Sequence, residues 1–558
     1  MRKLLLVLAL LAQAQAQLQP APAVPQTPIR AYIASGWETL SRSMFECKSV
    51  VDPKVTTTPI LYLPAGLPTP PAVSAMQQQC HVEVEHLPHT IRSLGDVLPS
   101  QIPKEGLLYL PNRYVVPGGR FNEMYGWDSY FILLGLVHDG EVPLARGMVE
   151  NFFFEIENYG AILNANRTYF FTRSQPPFLS SMIREVYEHD PASVTPEVVN
   201  PPIPSFPPKP REANAAEPPL DLKWLAHAYQ MAQRDYALWT SPIHQAGDTG
   251  LARYHDLGKG PVPEMADDSA YYPDVIRWLL AHPDRDGDYL VPDSPDAATV
   301  TRTSCDPHAS KVCATAVVEG RRLSAAFYQG DRADRESGFD TTFRFGPFSG
   351  STENFAPVCL NALLFKYEQD MAHFATLLKR PDEAKIWMYR AKQRRAAMDQ
   401  YLWNPALGLY FDYDYLSKKQ STYRYISTFY PLWAGAASKE QAAAVERHLA
   451  DFERPGGLST SDITSGLQWD QPFGWAPTIW LAVDGLDLNG FHADARRIAQ
   501  SFSNTIQDNF QRDGTLREKY NVVSGSANVQ VSAGYKSNVV GFGWTNGVYL
   551  KLQDLLGR

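Results

Sequence analysis

The chain has 558 residues, 44 % hydrophobic and 20 % charged, a globular balance with enough apolar material for a large buried core. Its net charge of -9 comes without any Lys/Arg run, which excludes nucleic acid as a partner. No apolar stretch approaches the length needed to span a bilayer, which excludes a membrane-spanning role.

Met1 to Ala16 reads as a secretory signal: Arg2 and Lys3 supply the positive start, Leu4 to Leu11 the apolar core, and Ala14-Gln15-Ala16 the cleavage site. An exported protein, periplasmic or secreted, beginning near Gln17 is the expectation. Export permits disulfides among Cys47, Cys80, Cys305, Cys313 and Cys359. Cys47 with Cys80 and Cys305 with Cys313 are the local pairings, leaving Cys359 free, and spacing alone does not settle them. No Cys/His spacing resembles a zinc site.

Gln17 to about Pro28 reads as a flexible lead-in, and Ile60 to Thr90 as mostly irregular wrapping. Pro117-Gly118-Gly119 then makes a tight turn, followed by Arg120-Phe121-Asn122-Glu123-Met124-Tyr125-Gly126-Trp127-Asp128-Ser129-Tyr130. A guanidinium fork and flat aromatic faces with polar edges suit a sugar ring and its hydroxyl rim. Tyr130 to Tyr159 reads as one helix. Asn164 and the Arg173-Ser174-Gln175-Pro176-Pro177 loop follow, with several donors and acceptors on a rigid backbone. Eight prolines between Pro201 and Pro219 mark an extended excursion between helices. Helical patterning resumes over Leu220 to Trp239. Asp284-Arg285-Asp286-Gly287-Asp288 lacks the ligand order of a calcium loop and reads as a surface turn.

The second half has the clearest period. Leu360, Leu363, Leu364, Tyr367, Met371, Phe374 and Leu378 share one helix face; Ala384, Trp387, Met388, Ala391, Met398 and Tyr401 share another, started by Pro381-Asp382. A third runs through Phe491, Ala495, Ile498, Phe502 and Ile506. Strand signals are few, so the class is mainly α, an array of helical hairpins. Three stretches read as loops between helices and join carboxylates to aromatics: Arg332 to Phe345, Gln468 to Pro477, and Leu516 to Asn521. Acetal hydrolysis needs two such carboxyl groups, one protonated and one ionised, but residue types alone do not choose among the candidates.

PGGRFNEMYGWDSY resembles the first signature of the trehalases, and QWD-x-P-x-GWAP at Gln468 to Pro477 resembles the second. The chain is similar from about Gly106 onward to that family (glycoside hydrolase family 37, periplasmic type). The resemblance implies a six-hairpin α/α toroid over 101–558, wrapped by an extension over 17–100. It also implies hydrolysis of α,α-trehalose to two glucoses with inversion, by a monomer without metal or organic cofactor. Glu336-Ser337-Gly338-Phe339-Asp340 looks like the family's ESGWD segment, with Phe339 for Trp, which makes Asp340 the general acid. Glu518-Lys519-Tyr520-Asn521 resembles its EKYD segment, which makes Glu518 the general base. Arg120, Trp127, Asp128, Asn164, Arg173, Gln175, Gly338, Trp469 and Trp475 fall at substrate-binding positions. Pro263-Glu264 matches the family's RPES segment with Val262 in place of its arginine; Glu264 keeps its role, and Arg302 supplies the missing charge, with Arg321 or Arg322 as the alternative. Gly541 to Gly547 matches the C-terminal GFGWTNG, whereas the glycine-rich lid before it is replaced by Val531 to Lys536, with Tyr535 where the lid glutamate belongs.

Overall fold

The computed structural model describes residues 28–52, 58–98, 101–102, 104–189, 221–265, 270–285, 288–294, 315–531 and 538–558. The signal segment, the proline-rich excursion, Arg302, Cys305, Cys313 and Tyr535 lie outside the described residues.

The chain opens with helix α1 (Ile29–Leu40). Strand β1 (Ile60–Leu63), helix α2 (Pro71–Cys80) and strand β2 (Glu83–His86) follow, and both β2 and β3 (Leu107–Leu108) pair with β1 in parallel. This corrects the irregular wrapping expected there. Four-residue strands are too short to show alternation, and the crossover helix starts on a proline, which suits the first helical turn but reads as a breaker. Cys47 and Cys80 are joined in a disulfide, and among the described residues Cys359 is the free cysteine, buried.

Then come α3 (Asp128–His138), α4 (Val142–Asn158), α5 (Leu179–His189) and α6 (Leu222–Trp239). The single helix expected from Tyr130 to Tyr159 is two. Gly140 at φ +82° breaks it, and Pro143 opens the second. Helix α7 (Ala325–Ser337) is capped by the Ser324 hydroxyl, which accepts from Phe327 N–H, and ends at Gly338 with φ +77°. Further along come α8 (Val358–Leu377), α9 (Pro381–Tyr401), α10 (Tyr430–Ala434), α11 (Ala476–Leu488), α12 (His492–Asp513) and α13 (Gly543–Leu556), with Tyr271–Ala281 and three shorter helices among the described residues outside this numbering.

Among the described residues, α3, α5, α8, α10, α11 and α13 pack each against the next, and α13 packs back on α3, closing a ring. Helices α4, α6, α9 and α12 each follow an inner helix and cover the ring from outside; α1 covers α13. Inner helices are buried nearly all round, which is why α3 and α11 read as apolar without a polar stripe. This is the mainly α toroid the resemblance implied.

The ring seals where two glycines cross. A Cβ on Gly547 would stand 2.0 Å from the Phe131 carbonyl oxygen, and one on Gly135 would stand 2.6 Å from Gly547 Cα. Gly547→Ala is therefore expected to destabilise the protein by about 1–3 kcal/mol through overpacking, read as a lower urea midpoint. An unchanged midpoint would mean that the closure tolerates a wider crossing.

Candidate active site

The unusual loops sit where the inner helices start. Trp127 directly precedes α3; Arg173 to Gln175 lead into α5; Gly338 to Asp340 lie between α7 and α8. Strand β4 (Phe473–Trp475) ends where α11 begins, and β5 (Lys519–Asn521) precedes α13. The two strands pair antiparallel with Trp475 opposite Lys519, which sets two of the loops side by side. Trp127 meets Phe339, Trp469 and Trp544 at 5.7, 5.9 and 5.8 Å between ring centroids. Trp469 stacks on Trp475 at 3.9 Å and 5°. All five rings are buried, so the indoles form one continuous wall. The Gly338 backbone lies against the Trp127 indole, where a Cβ would come within 2.9 Å.

Three carboxyl groups share this space. Burial pushes Asp340 up to about 7; Arg335 opposes, and Glu264 adds to the shift. Arg335 Nη1 donates to Asp340 Oδ2 at 3.0 Å, and the side chain keeps 20 % exposure. The Asp340 backbone carbonyl accepts from Gln468 Nε2. Asp128 is pushed well above the usual carboxylate range by burial, with Glu518 and Asp340 both adding to the effect. Asp128 thus feels both of the other carboxyl groups at once. Glu518 keeps 15 % exposure and pairs through Oε2 with Lys519 Nζ at 3.0 Å, while its carbonyl accepts from Trp544 Nε1 at 3.0 Å.

Arg173 is the polar centre of one side. Its Nε donates to Asn164 Oδ1 at 2.8 Å and its Nη2 to Glu264 Oε1 at 2.5 Å, while Asp256 lies 3.5 Å from Nη1. Glu264 Oε2 is buried without a partner. Gln175 Oε1 accepts from Trp127 N–H at 3.0 Å, which ties this loop to the indole wall. Arg120 is exposed, its guanidinium 4.8 Å from the centroid of Phe121. Asp470, inside the second signature, is saturated instead: Ser465, Thr342 and Tyr423 hydroxyls and Phe343 N–H donate to it at 2.6–2.9 Å. It holds loops together and has no capacity left for a substrate proton.

Sequence reading missed Arg335. The charge absent at Val262 was assigned to Arg302, Arg321 or Arg322. Arg302 is outside the described residues, Arg321 is exposed, and Arg322 donates to Asp293 at 2.5 Å. The guanidinium that meets Asp340 comes from α7, because this helix runs on to Ser337 where a loop was expected. Its signal was Gly338, a helix-ending residue whose preceding turn places Arg335 beside Asp340. No group of three or more His, Cys, Asp or Glu among the described residues could hold a metal ion.

A family model described as trehalase matches residues 52–557. A cytosolic neutral trehalase of Neurospora crassa is 33 % identical, over 92 % of this chain and 71 % of its own length. One of Saccharomyces cerevisiae is 33 % identical over 90 % of this chain and 67 % of its own. The solved structure of neutral trehalase Nth1 from Saccharomyces cerevisiae superposes with a TM-score of 0.72 at 31 % identity, covering 94 % of this chain and 93 % of that one. These relatives overturn the expectation of a periplasmic or secreted protein, since both the Neurospora crassa and this Saccharomyces cerevisiae relative are named cytosolic. The signal-like composition of residues 1–16 does not outweigh that agreement.

Proposed function

We propose, for a chain that belongs to the trehalase family, that Asp340 and Glu518 are the acid and base with which it hydrolyses α,α-trehalose to two glucose molecules. Protonated Asp340 donates to the bridging oxygen as the C1–O bond breaks through an oxocarbenium-like state. Ionised Glu518 takes a proton from a water on the opposite face of that sugar, and the water oxygen bonds to C1 with inversion. Inverting pairs stand about 6.5–9.5 Å apart to admit that water. Arg173, Asn164, Gln175, Glu264, Asp128 and the indole wall hold the sugars, and Arg335 sets the acidity of Asp340.

The observation that carries this reading is the indole wall: Trp127, next to Asp128, meets Phe339, next to Asp340, and also Trp544, whose Nε1 donates to the Glu518 carbonyl, which gathers the three carboxyl-bearing segments on one cluster of rings. A carboxyl held to about 7 is also suited to donate a proton near neutrality. Proton NMR of fresh enzyme with trehalose, recorded before mutarotation, is the test. Equal early α- and β-glucose is expected, whereas α-glucose alone would mean retention and remove the role given to Glu518.

The acid also sets a pH dependence. Asp340 works while protonated, so kcat/KM should fall through an alkaline limb with its midpoint near 7. Arg335 favours the ionised form; Arg335→Met should move that midpoint upward, and Glu264→Gln, which removes an opposing charge, downward. Shifts of the reverse sign would detach the limb from Asp340.

A further inference from the structure

One buried carboxylate near the site has no part in the proposed reaction. Glu336, in the last turn of α7, is fully buried. Its Oε1 accepts from Ser174 N–H at 3.3 Å and its Oε2 from His255 N–H at 2.7 Å, with His244 Nε2 3.3 Å from Oε2. One side chain thus reaches three segments: the loop of Arg173 and Gln175, the loop of His255 and Asp256, and the end of the 3₁₀ turn Pro242–His244. Burying a carboxylate costs several kcal/mol unless donors surround it. Here the donors belong to the loops that meet the sugar side of the pocket, so ordering those loops compensates the desolvation.

Two of these three routes from Glu336 end on Arg173. Ser174 is its neighbour in the chain, and Asp256, next to His255, lies 3.5 Å from Arg173 Nη1 and binds Arg332 of α7 at 3.0 Å. Asp340, by contrast, is held by Arg335 and Gln468, and Trp469 N–H donates to the carbonyl of Thr341 at 3.2 Å, none of which involves Glu336. We propose that Glu336 is a positioning residue that acts through Arg173, fixing the sugar-contact loop relative to the helix that presents the acid. The proposal rests on the reading of Arg173 and Asp340 given above.

Glu336→Gln replaces one acceptor with a donor that must face an N–H, so the side chain cannot serve Ser174 and His255 together. Because Arg173 would grip the sugar in ground and transition states alike, KM for trehalose should rise about tenfold with kcat changed less than about threefold. Glu336→Asp keeps the charge, is the milder change for folding, and should raise KM by a smaller factor. In a double-mutant cycle with Arg173→Lys the two KM effects should be non-additive. A loss of kcat at constant KM, additive effects, or a shifted unfolding midpoint with unchanged kinetics would each overturn the proposal. If Arg173→Lys alone leaves KM unchanged, the reading of the site fails, and the role of Glu336 with it.

Discussion

Asp340→Asn should lower kcat on trehalose by about 10²–10⁴-fold, the usual worth of a positioned proton donor, with KM little changed. The amide is isosteric and can still accept from Arg335 at its oxygen, so the pocket stays in place while the transferable proton is lost. The glucose leaving group then departs as an alkoxide. An α-glucosyl fluoride, whose leaving group needs no proton, should recover much of the rate with Asp340→Asn. Glu518→Gln should lose a comparable factor on both substrates, because the water still has to be deprotonated. Full activity of Asp340→Asn on trehalose would end the assignment, and fluoride rescue of Glu518→Gln instead would exchange the two roles.

Asp412→Ala should cost about 3–5 kcal/mol in urea unfolding, the range for stripping one partner from a buried ion pair. Arg344 is fully buried, and its Nε and Nη2 both donate to Asp412 at 2.7 Å. Rings of Tyr425, Phe345 and Phe339 lie 4.4, 4.6 and 5.3 Å from the guanidinium, so no water replaces the lost carboxylate cheaply. Asp412 also accepts from Val358 N–H at 2.9 Å, which caps α8. Asp412→Leu combined with Arg344→Leu removes both charges and should be less destabilised than Asp412→Ala alone. A single variant within about 1 kcal/mol of wild type would show that the guanidinium finds another partner.

Asp340 and Glu518 were singled out through the resemblance, which rests on the contiguous runs Glu336 to Asp340 and Glu518 to Asn521, because residue types alone did not choose among the carboxylates. The outer helices around Trp387 and Phe502 were legible for a different reason, since each buries one face and exposes the other, while the inner helix around Leu360 was legible as a long run of periodic apolar residues. Helix α7 was not. Asp331, Arg332, Asp334, Arg335 and Glu336 are all buried in it, and a run so charged reads as a solvated loop. Several of their partners, among them Asp256, His244, His255 and Tyr272, lie some 60 to 90 residues earlier, beyond any local pattern. Arg335 disappeared into that run, and Arg302 was named in its place. The strands Ile60–Leu63 and Glu83–His86 were missed through brevity, and the break at Gly140 because both flanking helices are apolar.

The crossing of Gly135 and Gly547 also bears on biosynthesis. Helix α3 is among the first inner helices to leave the ribosome, yet the partner that seals it, α13, begins about 400 residues later. At roughly 5–20 residues per second, the apolar flank of α3 waits some tens of seconds for its cover. Glu518 is likewise translated late, so a nascent chain carries the proposed acid, Asp340, well before the proposed base. Premature termination ahead of Gly543 leaves an open arc of hairpins with two raw apolar ends, a substrate for chaperones and proteases rather than a weakened enzyme.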